Sequence, residues 1–321
     1  MSVLRAVNHV LSPGGARGRL TIMIFHRVHR VADELADDPD AARFEATLAN
    51  VRRWFNVMPL DDAVAGLAAG TLPPRALAIT FDDGYADNHD VALPILRRLG
   101  LTATFFVATG YLDGGAMWND RVIEAVRRHR GASLDVASLG LRLPLDSAPA
   151  RRAAIATLLP RLKYEPPARR DALADEVARA AGAAPPHDIM MTSAQVRALS
   201  QAGMQIGAHT HRHPILACLP AAEASREIAQ SRDRLQDIVQ RPVRLFAYPN
   251  GRPGTDYSPE NVSQVRALGF VAACTTAQGA AGPGTDLFQL PRFTPWDREP
   301  WKFGARLARN LRVEAAALAA S

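Results

Sequence analysis

Seven short apolar runs, separated by stretches with helical spacing, limit what this chain of 321 residues can fold into more than any other feature. The runs lie at 20–25 (LTIMIF), 76–81 (ALAITF), 102–108 (TATFFVA), 204–208 (MQIGA), 243–248 (VRLFAY), 270–276 (FVAACTT) and 288–293 (FQLPRF), and each suits a buried strand. The intervening spacing predicts helices over about 88–99, closed by Gly100, and over 193–203, opened by Thr192 and closed by Gly203. Two more are expected over about 220–240 and 259–268. Strands that alternate with helices are expected to run parallel, each crossover being a helix. The class is therefore α/β. Polar residues recur just past five separate strand ends: His26, Asp82 with Asp83, His209, Tyr248 and Arg292. An open doubly wound sheet also collects sites at its carboxyl edge. A closed barrel better explains why five strand ends all carry such side chains. The expected fold is a distorted (β/α) barrel, TIM-barrel-like, with about seven strands.

One stretch breaks the rhythm. From about 113 to 190, Ala, Arg and Leu alternate with Pro and Gly breaks, and helical spacing dominates. This segment is read as a helical insertion in a single domain spanning 20–300. A basic amphipathic segment, 1–19, precedes that domain, and an amphipathic helix carrying Arg306, Arg309 and Arg312, 301–321, follows it. The composition, 48% hydrophobic and 22% charged, is that of an ordinary globular protein. Cys218 and Cys274 form no CxxC pattern and are expected to be buried thiols in a reducing compartment. The first twenty residues lack the apolar core of an export signal, and no stretch is long enough to span a bilayer. A cytoplasmic location is expected on that basis. Thirty-eight Lys and Arg against 32 Asp and Glu give a net charge of +6, most of it from arginine. No recognition motif or interleaved aromatic pattern accompanies the charge, so nucleic acid is not expected as a partner. An anionic membrane surface, met by the basic terminal segments, stays open. So does an arginine-rich composition with no functional meaning.

Two motifs carry chemistry. The first is Thr80-Phe81-Asp82-Asp83-Gly84-Tyr85. Adjacent carboxylates at a strand end repel each other and lose solvation, although Asp-Asp-Gly is also good turn chemistry. A cation would neutralise one carboxylate and leave the other as a base. The second is His209-Thr210-His211-Arg212-His213-Pro214. Histidines four residues apart can reach one metal ion, and His211 is the member expected to point away. Asp83, His209 and His213 together form a two-His, one-carboxylate set that leaves a position for water, as catalytic metal sites do. The set suits Zn2+; iron, cobalt, nickel or manganese are further possibilities.

TFDDGY followed by HTHRHP resembles the polysaccharide deacetylase family (carbohydrate esterase family four, the chitooligosaccharide deacetylase homology domain). The first motif of that family has the form T-F-D-D-G and its second H-[S/T]-x-x-H. The resemblance covers most of 20–112 and 192–295 and leaves out the helical insertion. It implies that Asp82 is the general base, that Asp83, His209 and His213 hold the metal, and that Thr210 supports them. Two family features are missing. The R-x-P-Y-G motif is replaced by Ala247-Tyr248-Pro249-Asn250-Gly251, which lacks the arginine, and no histidine occurs after His213 to act as general acid. Arg292 is expected to bring a guanidinium to Asp82 from another strand. His26 is expected as the general acid, because IMIFH-Arg27-Val28 resembles the opening of permuted members in which the acid-bearing strand comes first.

The resemblance implies hydrolysis of an N-acetyl group on an amino sugar. Asp82 would act as base, His26 would donate to the departing amine, and the backbone N–H of Tyr248 would face the oxyanion. Pro249, Asn250, Tyr85 and Trp118, with Asp120 beside it, are candidates for the saccharide contact. The substrate is expected to be a glycan under assembly, such as a capsule or exopolysaccharide. An O-acetyl or N-formyl group is the alternative within the same chemistry. A non-catalytic carbohydrate-binding protein is the alternative from another class, and Asp82 argues against it, since binding alone needs no base beside a metal. A membrane-associated scaffold would leave the Asp/His set unexplained.

Overall fold

In the computed structural model, which describes residues 3–184 and 186–313, all six residues of the first strand, β1 (Leu20–Phe25), are buried. The remaining strands are β2 (Asn56–Val57), β3 (Ala76–Phe81), β4 (Thr104–Val107), β5 (Ser133–Val136), β6 (Leu141–Pro144), β7 (Gln205–Ala208), β8 (Leu245–Ala247), β9 (Ala272–Gln278) and β10 (Leu290–Arg292). Seven of them form one parallel sheet in the order β1-β3-β4-β7-β8-β9-β10, with β2 added beside β3. Phe293, just past β10, bridges back to Met23 of β1 in parallel, with Phe293 N–H donating to Ile22 O at 2.7 Å. The result is a nearly closed barrel of seven parallel strands, the distorted (β/α) barrel expected. Continuous apolar runs suit it, because such strands are covered on both faces.

Two compact units make up the chain. One comprises residues up to Ala32, Asp38–Gly110 and those from Met191 onward; the other comprises Asp33–Asp37 and Tyr111–Met190. The first holds the barrel. Its interior is filled by Leu20, Ile22, Ala78, Phe106, Leu245, Cys274 and Leu290, among others. Gly207 of β7 faces this filling, and a Cβ there would run into the Phe106 ring and the Leu245 carbonyl. A second aromatic layer locks three strands together. Phe81 stacks on Phe25 at 5.4 Å and on Phe105 at 4.7 Å, while Phe44 packs edge-on to Phe25 at 5.1 Å. Phe25, Phe81 and Phe105 share one register row. Each such ring, once buried, contributes roughly 1.5–3 kcal/mol. The residues that follow Phe25 and Phe81 are His26 and Asp82, so this row fixes the height from which these two side chains project.

The helices expected near 193–203, 220–240 and 259–268 are Ser193–Gln201, Ala221–Val239 and Pro259–Ala267. Thr192 opens the first with a capping box, its side chain accepting from Gln195 N–H. The segment expected as one helix over 88–99 begins as a π-helical turn, Asn88–Ala92, and continues as an α-helix, Leu93–Leu99, ending at Gly100 with φ 64°. Helices Ala41–Trp54 and Leu60–Ala69 occupy the stretch between β1 and β3. The terminal segments contribute helices Val3–Leu11 and Pro300–Asn310; the end of the expected C-terminal helix lies outside the described residues. Among the described residues, no helix is long and apolar enough to cross a membrane.

The second unit is built around its own core of Val122, Val126, Leu134, Leu158, Leu162 and Val177. Helices Trp118–Arg128, Ala148–Lys163 and Pro167–Ala180 supply most of it. The segment expected as a helical insertion also holds a small sheet. β5 and β6 pair as an antiparallel hairpin, and the short segment Asp33–Asp37 joins the unit through Arg127 Nη2 to Asp33 Oδ2 at 2.6 Å. Cys274 is buried, but Cys218 is exposed, contrary to the expectation for both thiols.

Candidate active site

Asp82 follows directly on β3, and its N–H donates to Phe25 O at 2.9 Å. Arg292 reaches it from inside the barrel. Nη1 donates to Oδ1 and Nη2 to Oδ2, each at 2.7 Å, while Nε donates to Thr275 O at 2.7 Å. The pair is sealed from water, with side-chain exposures of 0% for Arg292 and 3% for Asp82. Burial raises the Asp82 pKa, but Arg292 and then His209 outweigh it, so the carboxyl is held below its ordinary range. A bidentate fork also fixes the plane of the carboxylate.

Asp83 turns away from the strand in the left-handed region, φ 76°, and its carbonyl accepts from Ala108 N–H at 3.0 Å. His209 stands at the end of β7. Its Nδ1 lies 2.7 Å from Ala247 O, a contact that places the ring proton on Nδ1 and leaves the Nε2 lone pair facing Asp83. His213 approaches from the same loop at φ 53°. Thr210 shapes that loop: its Oγ1 donates to His209 O at 2.6 Å and accepts from His213 N–H at 3.1 Å. Three ligand atoms converge. His209 Nε2 to Asp83 Oδ1 is 3.4 Å, His213 Nε2 to Asp83 Oδ1 is 3.3 Å, and the two Nε2 atoms are 3.1 Å apart. Ligands about 2.0–2.1 Å from a tetrahedral Zn2+ stand roughly 3.3–3.4 Å from one another. The donor set thus fits a zinc-sized cation, and the lone pair of His209 is already aimed by its outer hydrogen bond. The neighbouring histidines hold the Asp83 carboxyl far below its usual range despite burial. His211 is turned onto Thr109, with Nδ1 3.0 Å from Oγ1, and takes no part in the cluster.

His26 is exposed at the end of β1, near enough that its charge lowers the pKa of both Asp82 and Asp83. Its loop is fastened by two residues that sequence reasoning missed. Asn88 Nδ2 donates to His26 O at 2.8 Å, and Asp87 accepts from Arg27 Nε at 2.8 Å and from Val28 N–H at 3.1 Å. Their nearness in sequence to Asp82–Tyr85 was the one available signal. Tyr85 is buried beneath Arg27, whose guanidinium lies 4.8 Å from the ring centroid.

One expectation is corrected. Tyr248 cannot offer its N–H to a substrate, because that N–H donates to Cys274 O at 3.1 Å. Its ring is fully buried against Tyr257 at 4.0 Å, and its hydroxyl donates to Phe288 O at 3.0 Å. Pro249 has no N–H to give, and Gly251 N–H donates to Pro249 O at 2.6 Å. Among the described residues, the backbone donor left in this loop is that of Asn250, a half-buried residue at φ 58°. Trp118, a candidate for the saccharide contact with the core as its other expected place, takes the second: it packs into the core of the second unit, with Arg170 5.3 Å above its ring. Asp120 is buried in that same unit.

Known proteins share both sequence and fold with this chain. It is 21% identical over 218 residues to YxkH of Bacillus subtilis (strain 168), a protein named for the polysaccharide deacetylases; the match covers 68% of this chain and 50% of YxkH. The chain thus spans about half the length of that curated relative. Its fold is similar to that of the Streptococcus pyogenes deacetylase PplD solved with acetate, at a TM-score of 0.60, 18% identity, and coverage of 92% of this chain and 99% of the other. IcaB from Ammonifex degensii gives a TM-score of 0.59 at 17% identity, covering 94% and 99%. The polysaccharide deacetylase family profile matches residues 69–143 and 167–273. That range includes Asp82, Asp83, His209, His213 and Asn250, extends into the second unit, and excludes His26 and Arg292. With more than half of its length matched, the chain belongs to the polysaccharide deacetylase family.

Proposed function

We propose that this chain is a metal-dependent N-deacetylase acting on amino sugars of a saccharide, in capsule, exopolysaccharide or related glycan assembly. The observation that carries the reading is the buried Asp82–Arg292 pair beside the converging atoms of Asp83, His209 and His213. A binding protein gains nothing from an oriented carboxylate next to a cation site. A hydrolase needs one as its base.

Asp83, His209 and His213 would hold the cation. When bound, a divalent ion of the zinc type supplies Lewis acidity to water and to the acyl carbonyl. Asp82, kept ionised and planar by Arg292, takes the proton of the attacking water. The backbone N–H of Asn250 donates to the oxyanion that develops on the carbonyl. His26, open to solvent at the mouth, gives a proton to the departing nitrogen. Acetate and a free amine leave. Tyr85 and Pro249 serve as walls, and Thr210 keeps the two histidines in one geometry.

The exposed side chains of Val3, Val7 and Val10, spaced to share one helix face in a chain of net charge +6, support a peripheral seat on an anionic membrane. Flotation with anionic liposomes tests that seat, and absence of binding removes it. The catalytic reading is tested by acetate release from N-acetylglucosamine oligomers, with and without chelator. Release is expected only with metal present and is expected to vanish in Asp82→Asn. Formate or ester-derived acetate as the only product would redirect the reading to an N-formyl or O-acetyl group. Metal-loaded protein that deacylates no saccharide would sink it.

A further inference from the structure

Trp296 is 60% exposed in a segment that is otherwise tied down. The Arg306 guanidinium lies 4.3 Å from its ring centroid and 4.3 Å from that of buried Phe293, so the cation is layered between an inner and an outer ring. Arg306 Nε also pairs with Asp297 at 2.6 Å, and Nη2 donates to Thr294 O at 2.5 Å. Arg43 Nη2 donates to the carbonyl of Trp296 itself at 2.9 Å. Ordering two long arginine side chains costs conformational entropy. The apolar area that Trp296 buries is a poor return for that cost, because most of the residue remains in water. What the arrangement does achieve is a rigid indole with one face backed and the other open.

Its place in the fold suggests the use. Phe293 pairs with Met23 across the β10–β1 closure. Trp296 and the exposed His26 each stand three residues beyond that pair, toward the same end of the barrel. Beyond Phe293 the chain leaves the sheet and turns, with Trp296 N–H donating to Thr294 O at 3.2 Å. Arg43, which holds the Trp296 carbonyl, lies in the first turn of the helix that ends the His26 loop, where Ala41 N–H donates to His29 O at 2.8 Å, so the open indole stands at the end of the barrel from which His26 projects.

We infer that Trp296 is a stacking platform for a sugar ring next to the one that carries the acyl group. The inference rests on the reading of this site as a saccharide deacylase. A pyranose presents a face of C–H groups, apolar and weakly positive, which complements the negative face of an aromatic ring. Holding the indole in place beforehand spares the ordering cost on binding.

The test uses the metal-loaded chain with the N-acetylglucosamine pentamer and a small aryl acetate. Trp296→Ala is expected to raise KM for the pentamer about tenfold, the value of one lost aromatic contact, while kcat stays within about twofold of the original on the same reasoning. Hydrolysis of the aryl acetate, which reaches only the reacting centre, should not change. Trp296→Phe keeps a ring on Arg306 and should fall between. A second readout needs no turnover: in an Asp82→Asn background the pentamer should alter tryptophan emission, and Trp296→Phe should abolish that change. An unaltered KM in Trp296→Ala, or the same emission change in Trp296→Phe, overturns the platform. If no N-acetylated oligomer is deacetylated by the unmodified chain, the deacetylase reading fails on its own, and the emission titration still decides the platform.

Discussion

Replacing Arg292 with methionine removes the cation that faces Asp82 while keeping a long side chain in the barrel. The structure sets the size of the effect. Both partners are sealed from water, joined by two bonds of 2.7 Å, and Arg292 also satisfies the Thr275 carbonyl. Breaking one half of such a pair strands a buried carboxylate and costs about 3–5 kcal/mol. At about 2–4 °C per kcal/mol for a domain of this size, Tm should fall by roughly 6 °C or more. The double variant Asp82→Asn/Arg292→Met carries no stranded charge. It should be more stable than Arg292→Met alone by about 1–3 kcal/mol, a coupling that only contacting residues show. Neither variant should turn over, since both lose the oriented base. Thermal melts alongside acetate release and zinc content test all of this. A single variant that melts within a degree or two of the parent, or a double variant weaker than the single, would refute the claim that the guanidinium compensates Asp82.

Three further outcomes are expected. His213→Ala should lower zinc affinity by more than about tenfold, at least the loss typical of removing an outer-shell partner, whereas Asp82→Asn should retain zinc; metal analysis after dialysis separates the two. Asp87→Ala removes the acceptor for Arg27 Nε and Val28 N–H, so the His26 loop should loosen. Its kcat should fall by about tenfold to a hundredfold, as small displacements of a reacting group do, with zinc content unchanged; an unaltered kcat would count against His26 as proton donor. Burial pushes the Cys274 thiol up to about 12, while Cys218 is exposed. Iodoacetamide at pH 8 should therefore add one group to the native chain and two to the unfolded one, read by intact mass; two additions to the native chain would contradict the packing around Cys274.

The barrel was legible because its strands are buried on both faces. LTIMIF and ALAITF admit no solvent-facing side, and both are strands over the full six residues. The shorter strands are narrower than their apolar runs: 102–108 holds Thr104–Val107 and 243–248 holds Leu245–Ala247. The hairpin in the second unit was hidden for a different reason. Its strands have four residues each, and in β5 only Leu134 and Val136 are buried. Two alternating apolar positions are too few to stand out from a background rich in Ala, Leu and Arg. The recruitment of Asp33–Asp37 to that unit rests on a contact with Arg127, 94 residues away, which no local pattern records.

Within the site, the donors were legible and the backbone that aims them was not. Asp82, Asp83, His209 and His213 announce themselves by type and spacing. Yet Asp83, Thr210, His213 and Asn250 all adopt positive φ, as four of the seven non-glycine residues that do so among those described. Such conformations are disfavoured for side-chain-bearing residues and persist where the surroundings over-determine them. Here the surroundings can be named: the Ala108 N–H on Asp83 O, the Thr210 hydroxyl between His209 and His213, and Thr276 Oγ1 on Asn250 O at 2.7 Å. The resemblance implies the Tyr248 N–H at the oxyanion, at a residue that continues strand β8. That same continuity with the strand commits its N–H to the ladder, and the chain must leave the ladder, through Pro249, before a donor is released at Asn250. A strand end therefore supplies side chains at once but backbone donors only one turn later.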